Sequence, residues 1–359
     1  MKSFFDRPVL AIESSCDETS AAVVVGREVR SNVVASQIAM HATWGGVVPE
    51  AAARAHVEAI LPVISEAFND AGVTREQIGA IAVTNRPGLV GALSVGVTAA
   101  KGLAFALKIP LLGVHHIEGH LSSLLAEPLT PIYPLVVFVV SGGHTELVLM
   151  ETPLRYRILG ATRDDAAGEA LDKSARLLGL GYPGGRALEE LARAGDPKAY
   201  PLPRALGTKT FEMSFSGLKT AVLRTVEREG ETLRREDLAA SAQSAVVDVL
   251  VARMARALDL FPARGIGVVG GVASNTALRE GLAALAAKRG VAFLVPDRSL
   301  CTDNAGMIGL AGSLRLAQDE SDGLDLEPIA SAELPGLVEE GWRSDPSSDA
   351  SAPISLSPS

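Results

Sequence analysis

Residues 8–25 read PVLAIESSCDETSAAVVV, and residues 134–149 read PLVVFVVSGGHTELVL. Each stretch sets two β-branched runs about a short turn of Ser, Gly or acidic residues, the sequence form of a β-hairpin. The same form in both halves of one chain predicts two related lobes. Outward from the first hairpin, the pattern gives a helix over 49–70, a strand at 80–84 and a small-residue helix over 89–107. A strand at 111–114 and a helix from near His116 follow. Strands alternating with helices predict parallel sheets covered on both faces. Residues 160–260 are mostly helical by apolar spacing, with Ala166, Ala167, Ala170, Leu171, Ser174 and Leu178 on one face. A strand at 266–269, a helix over 275–289, a strand at 293–296 and a last helix over 305–316 complete the reading.

A length of 359 residues suits two lobes better than one core. Hydrophobic residues make up 47% and aromatic residues 4%, so Ala, Val, Leu and Ile must build the interior. Cys16 and Cys301 are far apart and form no CxxC, which points to a reducing compartment rather than a disulfide framework. The N-terminus lacks a signal-peptide pattern, and the longest apolar run, 135–140, is too short to span a bilayer. A cytoplasmic protein with no membrane partner is expected. The net charge of −9 lies in residues 319–359, which hold ten acids and one base, so residues 1–318 sum to zero. Such a balance leaves room for local basic patches. Arg204, Lys209, Lys219, Arg234 and Arg235 are candidate phosphate contacts. The expected division is a first lobe over 1–128 and a second over 129–318 with a helical insertion at about 160–260. The last helix of the second lobe is free to pack back on the first. The acidic tail over 319–359 is expected to be disordered from about Asp345.

Three turns are candidates for holding a phosphate on backbone N–H groups, 13–19, 141–144 and 270–275, although each alone reads more readily as a plain strand-to-helix turn. None fits GxxxxGK[ST] or GxGxxG, so neither a P-loop nor a dinucleotide fingerprint is present. Their joint presence in two similar lobes points to a nucleotide gripped between hairpins. A second constellation is His115-His116-Ile117-Glu118-Gly119-His120, which holds three of the six histidines. His116 and His120 are four apart and share a helix face, a metal-ligand spacing. A zinc peptidase would need HExxH, but Glu118 lies two places after His116 and turns elsewhere. Asp303 is the best third ligand; it also opens a helix, where an acid caps as readily as it ligates. Two His and one carboxylate suit Fe(II), with Zn the other candidate. A third constellation, Asp165, Glu169 and Asp172, is spaced to share a helix face, either as solvated acids or near a hydroxyl-bearing ligand. His144 is a candidate general base or a hydrogen-bonded turn histidine.

Taken together, these motifs resemble the universal tRNA threonylcarbamoyladenosine transferase family in its bacterial form, the TsaD family. The matches run in family order over about residues 8–318: Ala11 to Thr19, Gly45 to Glu50, Pro87-Gly88-Leu89, His115 to His120 and Val140 to Thr145. They continue through Asp164 to Glu169, Tyr182 to Gly185, Phe215 to Thr220, Gly270-Gly271-Val272 and Cys301 to Asn304. Asn85-Arg86, Ala273-Ser274 and Met213 depart from the usual pattern. The resemblance implies an α/β fold of two actin-like ATPase (ribonuclease H-like) lobes with a helical insertion in the second. It implies transfer of a threonylcarbamoyl group from threonylcarbamoyl-AMP to the exocyclic amine of the adenosine just 3′ of the anticodon, in tRNAs reading codons that start with A. By motif, His116, His120 and Asp303 would hold the metal, and Val139, Val140, Ser141, Gly142, Gly143, Asp172, Gly185 and Asn275 would bind the adenylate. The implied partners are tRNA, a smaller TsaB-like paralogue of the same fold and a small TsaE-like P-loop ATPase. The rival readings are a metal-dependent peptidase, a small-molecule kinase of the same superfamily and a non-catalytic ATP-binding scaffold.

Overall fold

The computed structural model describes residues 4–207 and 209–336. The first hairpin forms as β1 (Val9–Glu13) and β2 (Glu18–Val25), antiparallel with Ala11 opposite Ala22. A strand that the apolar pattern misses, β3 (Glu28–Ser36), adds to its outer edge. After the short helix α1 (Ile38–Ala42) come α2 (Pro49–Ala71), β4 (Ala80–Arg86), α3 (Val90–Leu107) and β5 (Leu111–His115). The strand order is β3-β2-β1-β4-β5. This sheet is mixed, not parallel as strand–helix alternation predicts. Tight turns join β1 to β2 and β2 to β3 and force antiparallel pairing, whereas helical crossovers leave β4 and β5 parallel to β1.

The second half repeats the arrangement. Helix α4 (His116–Ser122) leads to β6 (Leu135–Val140), β7 (Thr145–Thr152) and β8 (Arg155–Ala161). Four helices follow: α5 (Ala167–Leu177), α6 (Gly185–Ala192), α7 (Ser216–Glu229) and α8 (Arg235–Leu260). The chain closes with β9 (Gly265–Val269), α9 (Thr276–Arg289), β10 (Ala292–Leu294) and α10 (Ala305–Leu316). The order β10-β9-β6-β7-β8 matches the first sheet strand for strand.

Alternation along β1 explains its unbroken apolar run. Leu10 and Ile12 pack on Ile60, Ile64 and Val97 of α2 and α3, while Val9 and Ala11 pack on Ile308 and Ala311 of α10. Along β6, Val136 and Phe138 meet the helices of the second half, and Val137 and Val139 meet Ile117 and Leu121 of α4. Each such side chain stabilises the fold by about 1.5–3 kcal/mol. Thus α4, from the first half, lies on the second sheet, and α10, from the chain's far end, lies on the first. The two helices touch at Gly119, where a Cβ would stand 2.6 Å from Ile308. A buried ion pair locks them, with Arg315 donating to both oxygens of Glu118 at 2.5 and 2.9 Å.

By length and composition α3 and α8 could each cross a membrane. Both are amphipathic in use: Leu93 and Val97 of α3 and Leu238, Val246 and Leu250 of α8 are buried within the fold. Residues 319–336 of the acidic tail pack on the body: the Gly113 amide donates to Asp322 (2.7 Å), and Leu334 is buried beside β6. The expected disorder from about Asp345 lies outside the described residues.

Asp164 fastens the helical insertion to the second sheet. It accepts from the Ser214 hydroxyl (2.5 Å), the Phe215 amide (2.8 Å) and both the amide and hydroxyl of Ser216 (3.1 and 2.9 Å), capping α7. Burial tends to raise its carboxyl, but those donors outweigh it and hold the pKa at about 2. A folded pKa below the unfolded value of about 3.9 means a contribution present at neutral pH and lost as the pH falls towards about 2. Asp164→Ala is expected to cost about 1 kcal/mol at pH 7, the low-to-middle range for a solvent-exposed cap. In denaturant unfolding the gap from wild type should close between about pH 4 and 2; a gap constant across that range would count against this account.

Candidate metal centre and adjoining cleft

The strand β5 ends at His115, whose Nδ1 accepts from the Ile117 amide (3.2 Å) and starts α4. One turn of helix then puts His116 and His120 on one face, their ring centroids 4.7 Å apart. Asp303 arrives from the loop before α10, where Asn304, not Asp303, caps the helix by accepting from Met307 N. That resolves the choice between cap and ligand geometry for Asp303: its Oδ1 lies 3.5 Å from His116 Nε2 and 3.2 Å from His120 Nε2. One ligand atom from each of the three lies within 4.8 Å of the others, so the group could hold a metal ion.

The surroundings agree with that capacity. His120 is fully buried, yet neither ring nitrogen has a hydrogen-bond partner; the approach of Asp303 to Nε2 is close but misaligned for a hydrogen bond. An unsatisfied buried imidazole costs about 1–3 kcal/mol unless another species occupies it. Glu13, at the end of β1, lies 3.1 Å from His116 Nδ1 and also accepts from the Ser15 amide (2.5 Å) and Thr84 hydroxyl (2.6 Å). Donation from Nδ1–H to this carboxylate leaves the His116 Nε2 lone pair facing Asp303, the arrangement metal-bound histidines use. Burial pulls His116 down, but Asp303 and Glu13 outweigh it and raise its pKa to about 9 without an ion. Burial lowers His120. Burial pushes Asp303 up, yet the histidines hold it well below the usual carboxylate range.

The cluster floors a cleft of about 930 Å³ between the lobes, lined among others by Ser15, Asp17, Glu18, Gly45, Ser141 and Asp172. That is the size class of small-molecule sites. Of the sequence-predicted residues, Ser141, Gly142, Gly143, His144 and Asp172 line it together with His116 and Asp303. Val139 and Val140 are buried core and do not face it. Gly185 gives its amide to Asp172 Oδ1, as does Gly184, both at 2.8 Å. Asn275 caps α9 and donates to Gln243 (2.9 Å), away from the lining. In the turn after β6, the Ser141 amide goes to His144 O (2.8 Å) and the Gly143 amide to Ser141 Oγ (3.3 Å). Within this turn, the Gly142 N–H is the amide with no partner among the described residues. The expected acidic face is split. Asp165 precedes α5, and Lys173 pairs with Asp165 (2.7 Å) and Glu169 (2.9 Å), so Asp172 stands apart.

A family model for tRNA N6-adenosine threonylcarbamoyltransferase (TsaD) matches residues 28–310. Proteins of that description from Symbiobacterium thermophilum and Moorella thermoacetica are 53% and 52% identical. The first alignment covers 94% of this chain and 98% of its relative, the second 89% and 95%. The chain belongs to the tRNA N6-adenosine threonylcarbamoyltransferase family. It is thus a tRNA-modifying transferase, and the threonylcarbamoyltransferase relatives do not favour the peptidase or kinase readings. Solved structures add the fold alone. HypF from T. kodakarensis superposes with a TM-score of 0.58 at 14% identity, covering 89% of this chain and 49% of that one. The ADPNP-bound activator of 2-hydroxyisocaproyl-CoA dehydratase from Clostridium difficile gives 0.52 at 14% identity, covering 87% and 96%. Two related actin-like lobes, as the hairpins predict, are what this threonylcarbamoyltransferase-family chain shows.

Sequence reasoning passed over Glu13, Arg176 and residues 330–332, all in or beside the cleft. Glu13 carries a signal in hindsight, as an acid ending an apolar strand. Arg176 does not, since its donation to Gly45 O across the cleft depends on how the lobes meet. Gly142→Val tests the turn. A Cβ at Gly142 would meet nothing within 4 Å, so the variant should fold with an unchanged Tm. Its side chain would fill ligand space, and AMP affinity by calorimetry should fall about tenfold or more. Wild-type affinity in the folded variant would remove Gly142 from the binding loop.

Proposed function

We propose that threonylcarbamoyl transfer takes place in this cleft, with threonylcarbamoyl-AMP seated beside a divalent cation held by His116, His120 and Asp303. The observation that carries the reading is His120: a buried imidazole with two unpartnered nitrogens, facing a second imidazole and a carboxylate. The donor set suits Fe(II), with Zn the other candidate. When bound, such an ion supplies Lewis-acid polarisation of a donor oxygen and a template for its orientation.

The chain's own groups supply the rest. The donor is a mixed anhydride, so the adenosine amine attacks its carbamoyl carbon, the C–O bond to phosphate breaks and AMP leaves. The amine is a weak nucleophile, which places the burden on positioning and charge stabilisation. Glu13 holds the His116 tautomer. The Gly142 N–H donates to a donor oxygen, and Asp172, fixed by two amides, offers its second oxygen to a hydroxyl of the adenylate. Val139, Val140, Gly143, Gly185 and Asn275 act through the shape of these turns. His144 is the candidate proton acceptor; burial and the charges of His116 and His120 lower its pKa to about 4, so it is neutral at pH 7 and a weak base.

The partners follow from the family reaction: tRNA, a TsaB-like paralogue and a TsaE-like ATPase, in the cytoplasm where tRNA resides. A protein partner is supported by Val57 and Leu61, one turn apart on α2 and 62% and 64% exposed, and by Phe105 on α3 at 72%. Of the candidate phosphate contacts, Arg204 is paired with Asp248 (2.7 Å), Arg234 lies 3.4 Å from Asp237 and Arg235 donates to Leu178 O. Lys209 and Lys219 are exposed.

Mass spectrometry of nucleosides tests the proposal. After incubation with tRNA, both partner proteins, ATP and threonylcarbamoyl-AMP, threonylcarbamoyladenosine is expected. His120→Ala should lose both the product and the bound metal seen by elemental analysis. Full metal content in that variant would remove the three-residue centre. ATP-dependent phosphorylation of a small molecule in place of nucleoside modification would favour the kinase reading.

A further inference from the structure

Beside His144 and adjoining the donor cleft lies a second chamber of about 230 Å³. It shares Pro87, His144, Glu146 and Ala332 with the cleft, so the two spaces adjoin beside the metal histidines. The chamber's walls are apolar, formed by Ile117, Ile158 and Leu334. Its polar groups differ in how far they are engaged. His115 is fully used: Nδ1 accepts from the Ile117 amide, and Nε2–H donates to Ala332 O (3.1 Å), which pins the tail segment as a lid edge. Glu146 forms no hydrogen bond or ion pair among the described residues, although it is half-buried. The His144 side chain has only a ring contact with His116, at 6.4 Å. Two residues apart on an extended segment, His144 and Glu146 point to the same side.

A pocket of this make-up selects its occupant. It has room for one ring system. Apolar walls suit the faces of a heterocycle, and polar groups beside them suit its edge. No lysine or arginine lines it, and two glutamates do, which disfavours a phosphate or carboxylate. An unpaired carboxyl calls for a donor such as an amino group. Burial pushes the Glu146 carboxyl above its usual range, as expected where a hydrogen-bond donor is missing.

We infer that this chamber receives the acceptor adenine, with a Glu146 oxygen accepting a hydrogen bond from the base's exocyclic amine. The base enters between the apolar walls, and its amine is held on the chamber side of His144, next to the donor carbonyl. Glu146 is then a base-recognition residue, choosing adenine over a purine without the amine. Single-stranded RNA loops are read in this way, with bases splayed into pockets and bonded along their edges.

This rests on the transfer reaction proposed above, and the test separates the two. Transfer from threonylcarbamoyl-AMP to an anticodon stem-loop RNA is measured with both partner proteins present, for wild type, Glu146→Leu and Glu146→Gln. AMP affinity is measured in parallel, which also reports folding. The leucine variant should lose about tenfold or more in kcat/KM for the RNA with AMP affinity unchanged. The glutamine variant, which keeps an acceptor oxygen, should recover most of that loss. A stem-loop with purine riboside at the acceptor position should compete less well than its adenosine parent against wild type, and equally well against Glu146→Leu. A leucine variant with wild-type kcat/KM, or one impaired only in AMP affinity, would overturn the inference and leave the transfer reaction standing. No modified nucleoside from wild type would remove both.

Discussion

The site exists because two short-range helices cross between lobes. Helix α4 carries His116 and His120 yet packs on the second sheet through Ile117 and Leu121, while α10 follows Asp303 and packs on the first through Ile308 and Ala311. They can meet only where side chains are small, and Gly119 is that point: a Cβ there would collide with Ile308. The Glu118–Arg315 pair then fixes their relative turn. Its burial makes it a specifying contact more than a stabilising one, since desolvation offsets much of the attraction while loss of one partner strands a charge. Glu118, out of place for a peptidase base, is here the clasp between two helices.

Around that crossing the charges form a nested set. Glu13 and Asp303 flank His116 from opposite sides, the Ser15 amide and Thr84 hydroxyl hold Glu13 in place, and the Ser15 hydroxyl lies against His116 Nδ1. A buried carboxylate, Glu13, and a half-buried one, Asp303, near two buried imidazoles are costly to desolvate and are tolerated where protons or a cation balance them. His120, whose ring nitrogens make no hydrogen bond among the described residues although Asp303 lies 3.2 Å from Nε2, marks where the balance is incomplete. A donor set preformed in this way holds unfavourable contacts that binding of a cation would relieve.

The sequence made the interior legible and the edges obscure. The α10 bounds match the apolar pattern, and β1, β4, β6 and β9 fall where unbroken Val, Ile, Leu and Ala runs lie, because both faces of those strands are covered. The third strand of each sheet escaped. β3 and β8 lie at sheet edges with mixed burial, so their sequences, EVRSNVVAS and RYRILGA, carry no clean period of two. The His116/His120 pair was readable because helix geometry is local, and Asp303 because few acids sit at a strand-to-helix turn. Glu13 and Glu146 were not, because their significance lies in what they face from other strands. How the acidic tail packs was not legible: residues 319–336 are held in part by backbone bonds, such as Ile329 N–H to Asn85 O (2.8 Å), which charge and hydropathy do not report.

The recurrence of one strand order in both halves sets two chemically different turns side by side. The turn after β1 and the turn after β6 occupy equivalent places in the two sheets. In each, a glycine following the parallel neighbour strand is pressed on the hairpin. A Cβ at Gly88, past β4, would stand 2.6 Å from Ser15 O, and one at Gly270, past β9, 2.4 Å from Val140 O. Both halves therefore need the same close backbone approach. What differs is the chemistry set on it. The first turn places a buried carboxylate, Glu13, against a histidine; the second exposes two glycines, with one amide unengaged, to the cleft. A symmetric scaffold thus presents an electron-rich side that suits a cation and an amide side that suits anionic oxygens. Transfer chemistry on a charged donor requires both within one ligand's reach, and the line between the lobes is where this fold brings them together.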